Sequence, residues 1–280
     1  MSCGLRRGKS VSKGADMHSK LLVNRVSPMK TIRMFGISVA SVTLGEASEV
    51  FSEIARKKET RVIFAANTEA IVLMNSNREL QKAYHEADFV LADGMPLVWF
   101  SRLIGERLPE RVTGSDLLPE LCQMAEKKSL KVFFLGGTED VTPKAITNLL
   151  KRFPALQVAG FATPWIDLSE QQEIHSDLVV TINQSGADIL FVGFGAPKQE
   201  IWISRNQKQL KTGIVLAVGG TFDFLAGKTV RAPLWMQESG LEWLWRLFHE
   251  PKRLWRRYLI GNALFCKLAW LEWKKRGSSK

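Results

Sequence analysis

Apolar residues along this chain recur in two rhythms. Unbroken runs such as Val62-Ile63-Phe64-Ala65-Ala66, Phe89-Val90-Leu91-Ala92 and Ile214 to Val218 have the length and texture of strands buried on both faces. Between the runs, apolar positions fall three and four apart. Ala47, Val50, Phe51 and Ile54 follow Thr43, and Leu80, Ala83, Tyr84 and Ala87 follow Asn77. That spacing predicts helices with one buried face. Taken in order, strands are predicted over 32–39, 61–66, 89–92, 131–135, 156–161, 187–192 and 214–218. Thr43 and Glu46 have capping-box spacing. Asn67 and Asn77 each precede a helix, Pro96 suits a first turn, and Ser115 is read as the cap of a helix over 117–127. Further helices are read over 142–152 and 169–184 and from Pro197, and the chain after Asp223 reads as helical.

Strands that alternate with helices form βαβ units. The predicted fold class is therefore α/β, a Rossmann-like parallel sheet flanked by helices with a C-terminal amphipathic helical appendage. Three segments are expected: a basic, disordered leader over 1–30, an α/β core over 31–232 and the appendage over 233–280. The second boundary is placed where the composition changes, near Pro233. Met17 and Met29 are possible later starts. No internal repeat or low-complexity tract interrupts the pattern.

Composition narrows the function classes. The 280 residues carry a formal net charge of +11, which favours an anionic partner: a phosphorylated substrate, an anionic membrane surface or a nucleic acid. Cys3, Cys122 and Cys266 are few and scattered. They form no disulfide framework or metal spacing, and a reducing cytoplasm is expected. His18, His85, His175 and His249 form no ligand cluster. No run of 18 uncharged apolar residues predicts a transmembrane helix, and residues 1–30 lack the apolar stretch of a signal peptide.

The strand ends carry the candidate chemistry. Ligands of open α/β sheets bind outside the carboxyl ends of the strands. There stand Asn67-Thr68, Asp93-Gly94, Gly136-Gly137-Thr138 and Gly219-Gly220-Thr221. Glycine at such a turn lets backbone N–H groups approach a phosphate, and a following helix adds partial positive charge. A nucleotide diphosphate would suit these turns. Asp93 stands where a catalytic group would stand, although Asp-Gly also suits a plain turn. Asn67 and Gln199 read either as ligands of a sugar or base or as a helix cap and a solvated residue. Arg111 reads as a phosphate fork or a surface ion pair. G-x-G-x-x-G and P-loop fingerprints are absent, which disfavours a dehydrogenase or an NTPase. So is any Asp-x-Asp pair, so nothing points to a metal bridging a diphosphate.

The C-terminal stretch adds a second signal. Five of the nine tryptophans follow Gly240, and from Arg246 onward ten Lys or Arg face two acids, Glu250 and Glu272. Aromatic and aliphatic residues interleave with arginine at helical spacing, as in helices that lie in a membrane interface. The same helices would also serve as ordinary packing on the core with solvated arginines. No recognition motif supports a nucleic acid.

In this order the motifs resemble the WecG/TagA/CpsF family of bacterial glycosyltransferases (glycosyltransferase family 26). The likeness covers about Lys30 to Tyr258. It rests on Asn67-Thr-Glu69, Ala87-Asp88 to Asp93-Gly94, Arg111-Val-Thr-Gly114, Gly193 to Glu200, Gly219-Gly220 with Phe222-Asp223, and Arg231-Ala-Pro233 leading to Glu242-Trp243 and Arg246. The resemblance implies transfer of a sugar from a UDP-sugar to a sugar on a polyprenyl-diphosphate lipid, in bacterial surface or extracellular polysaccharide synthesis. It implies inversion at the anomeric carbon with no required metal or other cofactor. It places the general base at Asp93 and substrate contacts at Asn67, Arg111 and Gln199. Arg246, Arg253 and Arg256 would hold the lipid diphosphate. Many members carry a Thr two residues before the Asn, and here Ala65 stands there. That departure leaves the donor open between an N-acetylmannosamine type and a hexose.

The expected protein is an inverting, UDP-sugar-dependent hexosyltransferase, peripheral on the inner face of the cytoplasmic membrane, with UDP-sugar, lipid-linked acceptor and anionic inner leaflet as partners. A homo-oligomer fits the family, and nucleic acid is not an expected partner. The substrate-binding set is Asn67, Arg111, Gly136, Gly137, Gln199, Gly219, Gly220, Arg246, Arg253 and Arg256. The alternative is a non-catalytic module that binds a UDP-sugar or anion and docks at membranes.

Overall fold

Eight strands form one twisted sheet in the order β1-β2-β4-β3-β8-β7-β5-β6. They are β1 (Thr31–Met34), β2 (Ile37–Ala40), β3 (Arg61–Ala66), β4 (Phe89–Ala92), β5 (Lys131–Gly136), β6 (Gln157–Ala162), β7 (Ile189–Gly193) and β8 (Ile214–Ala217). The computed structural model describes residues 29–169 and 173–277, without the side chains at 173–175, 253 and 257. The leader predicted over 1–30 lies outside the described residues except at Met29 and Lys30.

Every pairing is parallel except β1 with β2. The single strand predicted over 32–39 is thus two. Phe35 (φ 51°) and Gly36 (φ 80°) both take the left-handed conformation and reverse the chain, the requirement of a tight hairpin turn. Phe35 is held there by packing on Phe100, 4.5 Å between ring centres, and on Phe265 at 5.5 Å.

Helices cover both faces. Helix α1 (Leu44–Ala55) packs on α5 (Gly114–Lys128) on one side, with Phe51 against Phe89 of β4. Helices α2 (Thr68–Met74), α3 (Arg78–Glu86) and α8 (Lys198–Asn206) share the other side's core, where Phe64, Leu80 and Trp202 are fully buried. In chain order, α4 (Met95–Leu103) follows β4, α6 (Val141–Arg152) follows β5 and α7 (Glu173–Ser185) follows β6. The predicted capping box is present: Thr43 caps α1 and exchanges hydrogen bonds with Glu46. Asn67 and Asn77 cap α2 and α3. Thr113, not Ser115, caps α5, because its hydroxyl is three residues from the Asp116 N–H. Ser115 Oγ instead meets Thr221 Oγ1 at 3.1 Å.

The last described stretch is helical: α9 (Thr221–Leu225), α10 (Leu234–Glu238), α11 (Glu242–His249) and the 27-residue α12 (Pro251–Gly277). Helix α12 runs back over α2. Phe265 and Leu254 are buried beneath it, and Asn262 Oδ1 lies 3.5 Å from Thr68 Oγ1. None of the described helices is long and apolar enough to cross a membrane. Strand β5 leads on to β6 on one side, whereas its neighbour β7 leads on to β8 on the other. That reversal opens a crevice at the carboxyl edge of the sheet.

Candidate active site

Strands β3 and β4 pair with Ala66 opposite Ala92, so the residues that follow them emerge side by side. Those residues are Asn67 and Asp93. The Asp93 N–H donates to the Ala66 carbonyl at 2.8 Å. Gly94, at φ 125°, then turns the chain into α4, with Pro96 in the first turn. Asn67 Oδ1 accepts the Ala70 N–H at 3.0 Å as the cap of α2, and its side chain also favours the ionised form of Asp93.

Two cavities meet at this pair. The first, about 530 Å³, is bounded by Gly137, Gly193, Gly195, Gly219 and Gly220 and by Ala65, Tyr84, Gln199 and Glu200. The second, about 620 Å³, is bounded by Met95, Trp99, Leu103, Trp243, Tyr258 and Phe265, with Arg111 and Glu242. Asn67, Asp93, Ser115, Phe224 and Arg246 border both. One chamber is thus walled largely by backbone turns, and the other by large apolar side chains.

The charges at the junction are interlocked. Arg111, only 13% exposed, lies 3.4 Å from Asp116 and 3.8 Å from Glu242, and donates to Gln237 Oε1 at 3.0 Å. Arg231 contacts Asp116 at 2.5 Å and Glu242 at 3.8 Å. Burial raises the Asp116 carboxyl, but Arg231 and Arg111 more than offset this and hold it below the usual range. The Asp93 carboxyl is pushed up to about 6, first by burial and next by the charge of Glu242. Arg111 and the Asn67 side chain pull the other way. By surface Asp93 is only half-buried, but it sits between two cavities walled by protein, so desolvation is strong. Arg246 stacks over Phe224 at 5.6 Å, and its Nε is buried with no hydrogen-bond partner, as are Nε and Nη2 of Arg231. Buried guanidinium N–H groups without partners suit an anionic ligand. Among the described residues, no three His, Cys, Asp or Glu side chains are grouped to hold a metal ion.

The predicted site residues divide. Asp93, Asn67, Arg111, Gly137, Gln199, Gly219, Gly220 and Arg246 line one or both cavities. Gln199 uses both ends of its amide, accepting the Gly219 N–H at 2.9 Å and donating to Glu200 Oε1 at 2.8 Å. Gly136 lines neither cavity; a Cβ there would stand 2.6 Å from the Gly193 carbonyl oxygen, so its place is strand packing. Arg256 lies on the exposed face of α12 with its guanidinium 5.1 Å from the Trp255 ring and reaches neither cavity. The side chain of Arg253 lies outside the described residues. Sequence reasoning assigned no role to Glu200, Asp116, Arg231 or Glu242. The last two had only a place in the Arg231-to-Trp243 motif, 11 residues apart, as their signal.

An open, mainly parallel sheet with its crevice at a strand reversal makes this a Rossmann-like α/β protein. The chain belongs to the Glycosyl transferase WecG/TagA/CpsF family, whose profile matches residues 32–279. It is 32% identical over 197 residues to a Bacillus spizizenii protein, covering 70% of this chain and 74% of the relative. A Bacillus subtilis relative is 30% identical over 198 residues, 71% of this chain and 75% of its own length. A Staphylococcus aureus relative is 27% identical over 238 residues, covering 84% and 91%. All three are named N-acetylglucosaminyldiphosphoundecaprenol N-acetyl-beta-D-mannosaminyltransferase.

Proposed function

We propose that this protein is an inverting glycosyltransferase that moves a sugar from a UDP-sugar to a sugar carried on a polyprenyl diphosphate. The observation that carries the reading is the position of Asp93 at the junction of a glycine-lined and an apolar cavity. The nucleotide diphosphate lies along the turns at Gly137, Gly219 and Gly220, where backbone N–H groups and Arg246 stabilise the charge that develops on leaving UDP. The acceptor enters from the apolar side. Asp93 takes the proton of the acceptor hydroxyl as its oxygen bonds the anomeric carbon. The bond from that carbon to the UDP oxygen breaks, and its electron pair leaves with UDP. A base with its pKa pushed up to about 6 is better matched to such a proton than an ordinary aspartate. No metal takes part in this proposal.

The relatives' names describe an N-acetylmannosaminyl donor and an N-acetylglucosaminyl lipid acceptor. The same substrate class is proposed here, with the donor sugar open because Ala65 lines the first cavity. The apolar chamber continues onto the surface: Trp99 and Leu103 border it and are 46% and 60% exposed. Trp235, Phe248 and Leu259 are exposed too, with Lys252, Arg256 and Lys267 on α12. This apolar and basic surface supports peripheral docking on the anionic inner leaflet.

The test is UDP release from purified protein across a panel of UDP-sugars, each with and without a polyprenyl-diphosphate-linked sugar. Acceptor-dependent release with one donor is expected, and Asp93→Asn should lower it about 10²- to 10⁴-fold. Donor binding with no release on any acceptor would favour the non-catalytic docking module.

A further inference from the structure

Glu200 stands in the first turn of α8 and is 2% exposed. Its Oε1 accepts from Gln199 Nε2 at 2.8 Å. Its Oε2 is buried with no hydrogen-bond partner, although Glu200 lines the glycine-walled cavity. A buried carboxylate oxygen left unpaired costs roughly 1–3 kcal/mol or more. Such an atom in a cavity wall is explained when a ligand supplies the missing donor.

The surroundings say which part of a ligand would do so. Through Gln199, Glu200 is tied to the turn at Gly219. Tyr84, whose hydroxyl donates to the Ala65 carbonyl at 3.4 Å, borders the same cavity as Glu200 and Asp93. Glu200 therefore borders the one cavity that holds both the turn that would cradle the diphosphate and the Asn67–Asp93 pair. A base at Asp93 must adjoin the anomeric carbon, so the group between these two points is the transferred sugar.

We infer that Glu200 is a selectivity residue for the donor, with Oε2 accepting a hydrogen bond from a hydroxyl or amide N–H on the transferred sugar. The inference rests on the nucleotide-sugar reading above. It assigns Glu200 no part in moving the reaction's proton.

Calorimetric binding of UDP, UDP-N-acetylmannosamine, UDP-N-acetylglucosamine and UDP-glucose tests it, on the full chain and on Glu200→Met and Glu200→Gln. Methionine fills a similar volume without an acceptor. Glutamine keeps a polar group facing the sugar and is the milder change if methionine impairs folding. The wild-type chain should bind one UDP-sugar more tightly than UDP. Glu200→Met should reduce that preference about tenfold or more, with UDP affinity unchanged within about twofold, and Glu200→Gln should fall between. A proportional loss of UDP and UDP-sugar binding would show that Glu200 acts only through Gln199 on the Gly219 turn, and would overturn the inference. So would an unchanged preference in both variants, or a wild-type chain that binds UDP but gains nothing from any sugar. If the wild-type chain binds neither UDP nor any UDP-sugar, the nucleotide-sugar reading itself fails.

Discussion

Asn67 and Asp93 follow the paired ends of β3 and β4, and the Asn67 side chain favours the ionised form of Asp93. The same amide caps α2 through its oxygen, which accepts the Ala70 N–H. One residue therefore holds a helix start and favours the ionised form of the proposed base. Asn67→Ser keeps a cap oxygen but removes the amide that favours the Asp93 carboxylate. With that pull gone, the Asp93 pKa rises further and the acid limb of kcat/KM moves to higher pH. An acid limb at the wild-type position would remove Asn67 from this role.

Glu242 acts in the opposite sense. Asp93 has to be ionised to accept a proton, so the wild-type rate should fall as pH drops through about 6. Burial is the larger cause of that raised value, and the negative charge of Glu242 is the next. Glu242→Gln removes a charge that disfavours the carboxylate, so the Asp93 pKa falls and the acid limb moves to lower pH. The check is UDP release between pH 5 and 8, where the variant should retain more of its plateau rate at the acid end than wild type.

Glu200 links the site to stability. Burial pushes its carboxyl up to about 7, against the hydrogen bond from Gln199. A carboxyl raised in the folded state stabilises fully below its unfolded pKa of about 4.3. That contribution is lost as pH rises through about 7. Glu200→Gln cannot ionise, so it should melt higher than wild type at pH 8 by an amount equivalent to at most roughly 4 kcal/mol. At pH 4 the two should melt close together. Equal melting offsets at both pH values would show that Glu200 is not the titrating group.

The exposed aromatic surface gives a prediction of a different kind. Trp235 and Phe248 are 63% and 74% exposed beside the basic end of the chain. Trp235→Ser with Phe248→Ser should weaken binding to phosphatidylglycerol-containing vesicles about tenfold or more, since each buried aromatic side chain contributes on the order of 1.5–3 kcal/mol. Raised salt should weaken wild-type binding too. Unchanged sedimentation with vesicles would place the membrane contact elsewhere.

Local rules read well where the local signal was complete. The runs at 61–66, 89–92 and 131–135 are strands, and Thr43, Asn67 and Asn77 are caps. The hairpin at Phe35-Gly36 was missed because Phe is a poor turn residue; rings 65 and 230 residues away, on Phe100 and Phe265, hold it in place. Asp88 has a motif position but sits at the amino end of β4, away from the crevice. It accepts the Val62 N–H at 2.8 Å and pairs with Arg61. Asp188 holds β5 in the same way through the Lys131 N–H.

The alternation of strand and helix, the glycine turns, the carboxylate after β4 and the basic aromatic end can be read along the chain, because each is set by neighbours within a turn or two. What those pieces face is set by packing across the whole fold. The placement of Arg246 in the crevice and Arg256 outside it follows from how α11 and α12 fold back over the sheet. The Arg111–Asp116–Arg231–Glu242 cluster joins α5 to chain more than 100 residues later. Burial, and with it the raised Asp93 and Glu200 carboxyls, depends on every element packed around a group, and no single stretch of sequence carries that information.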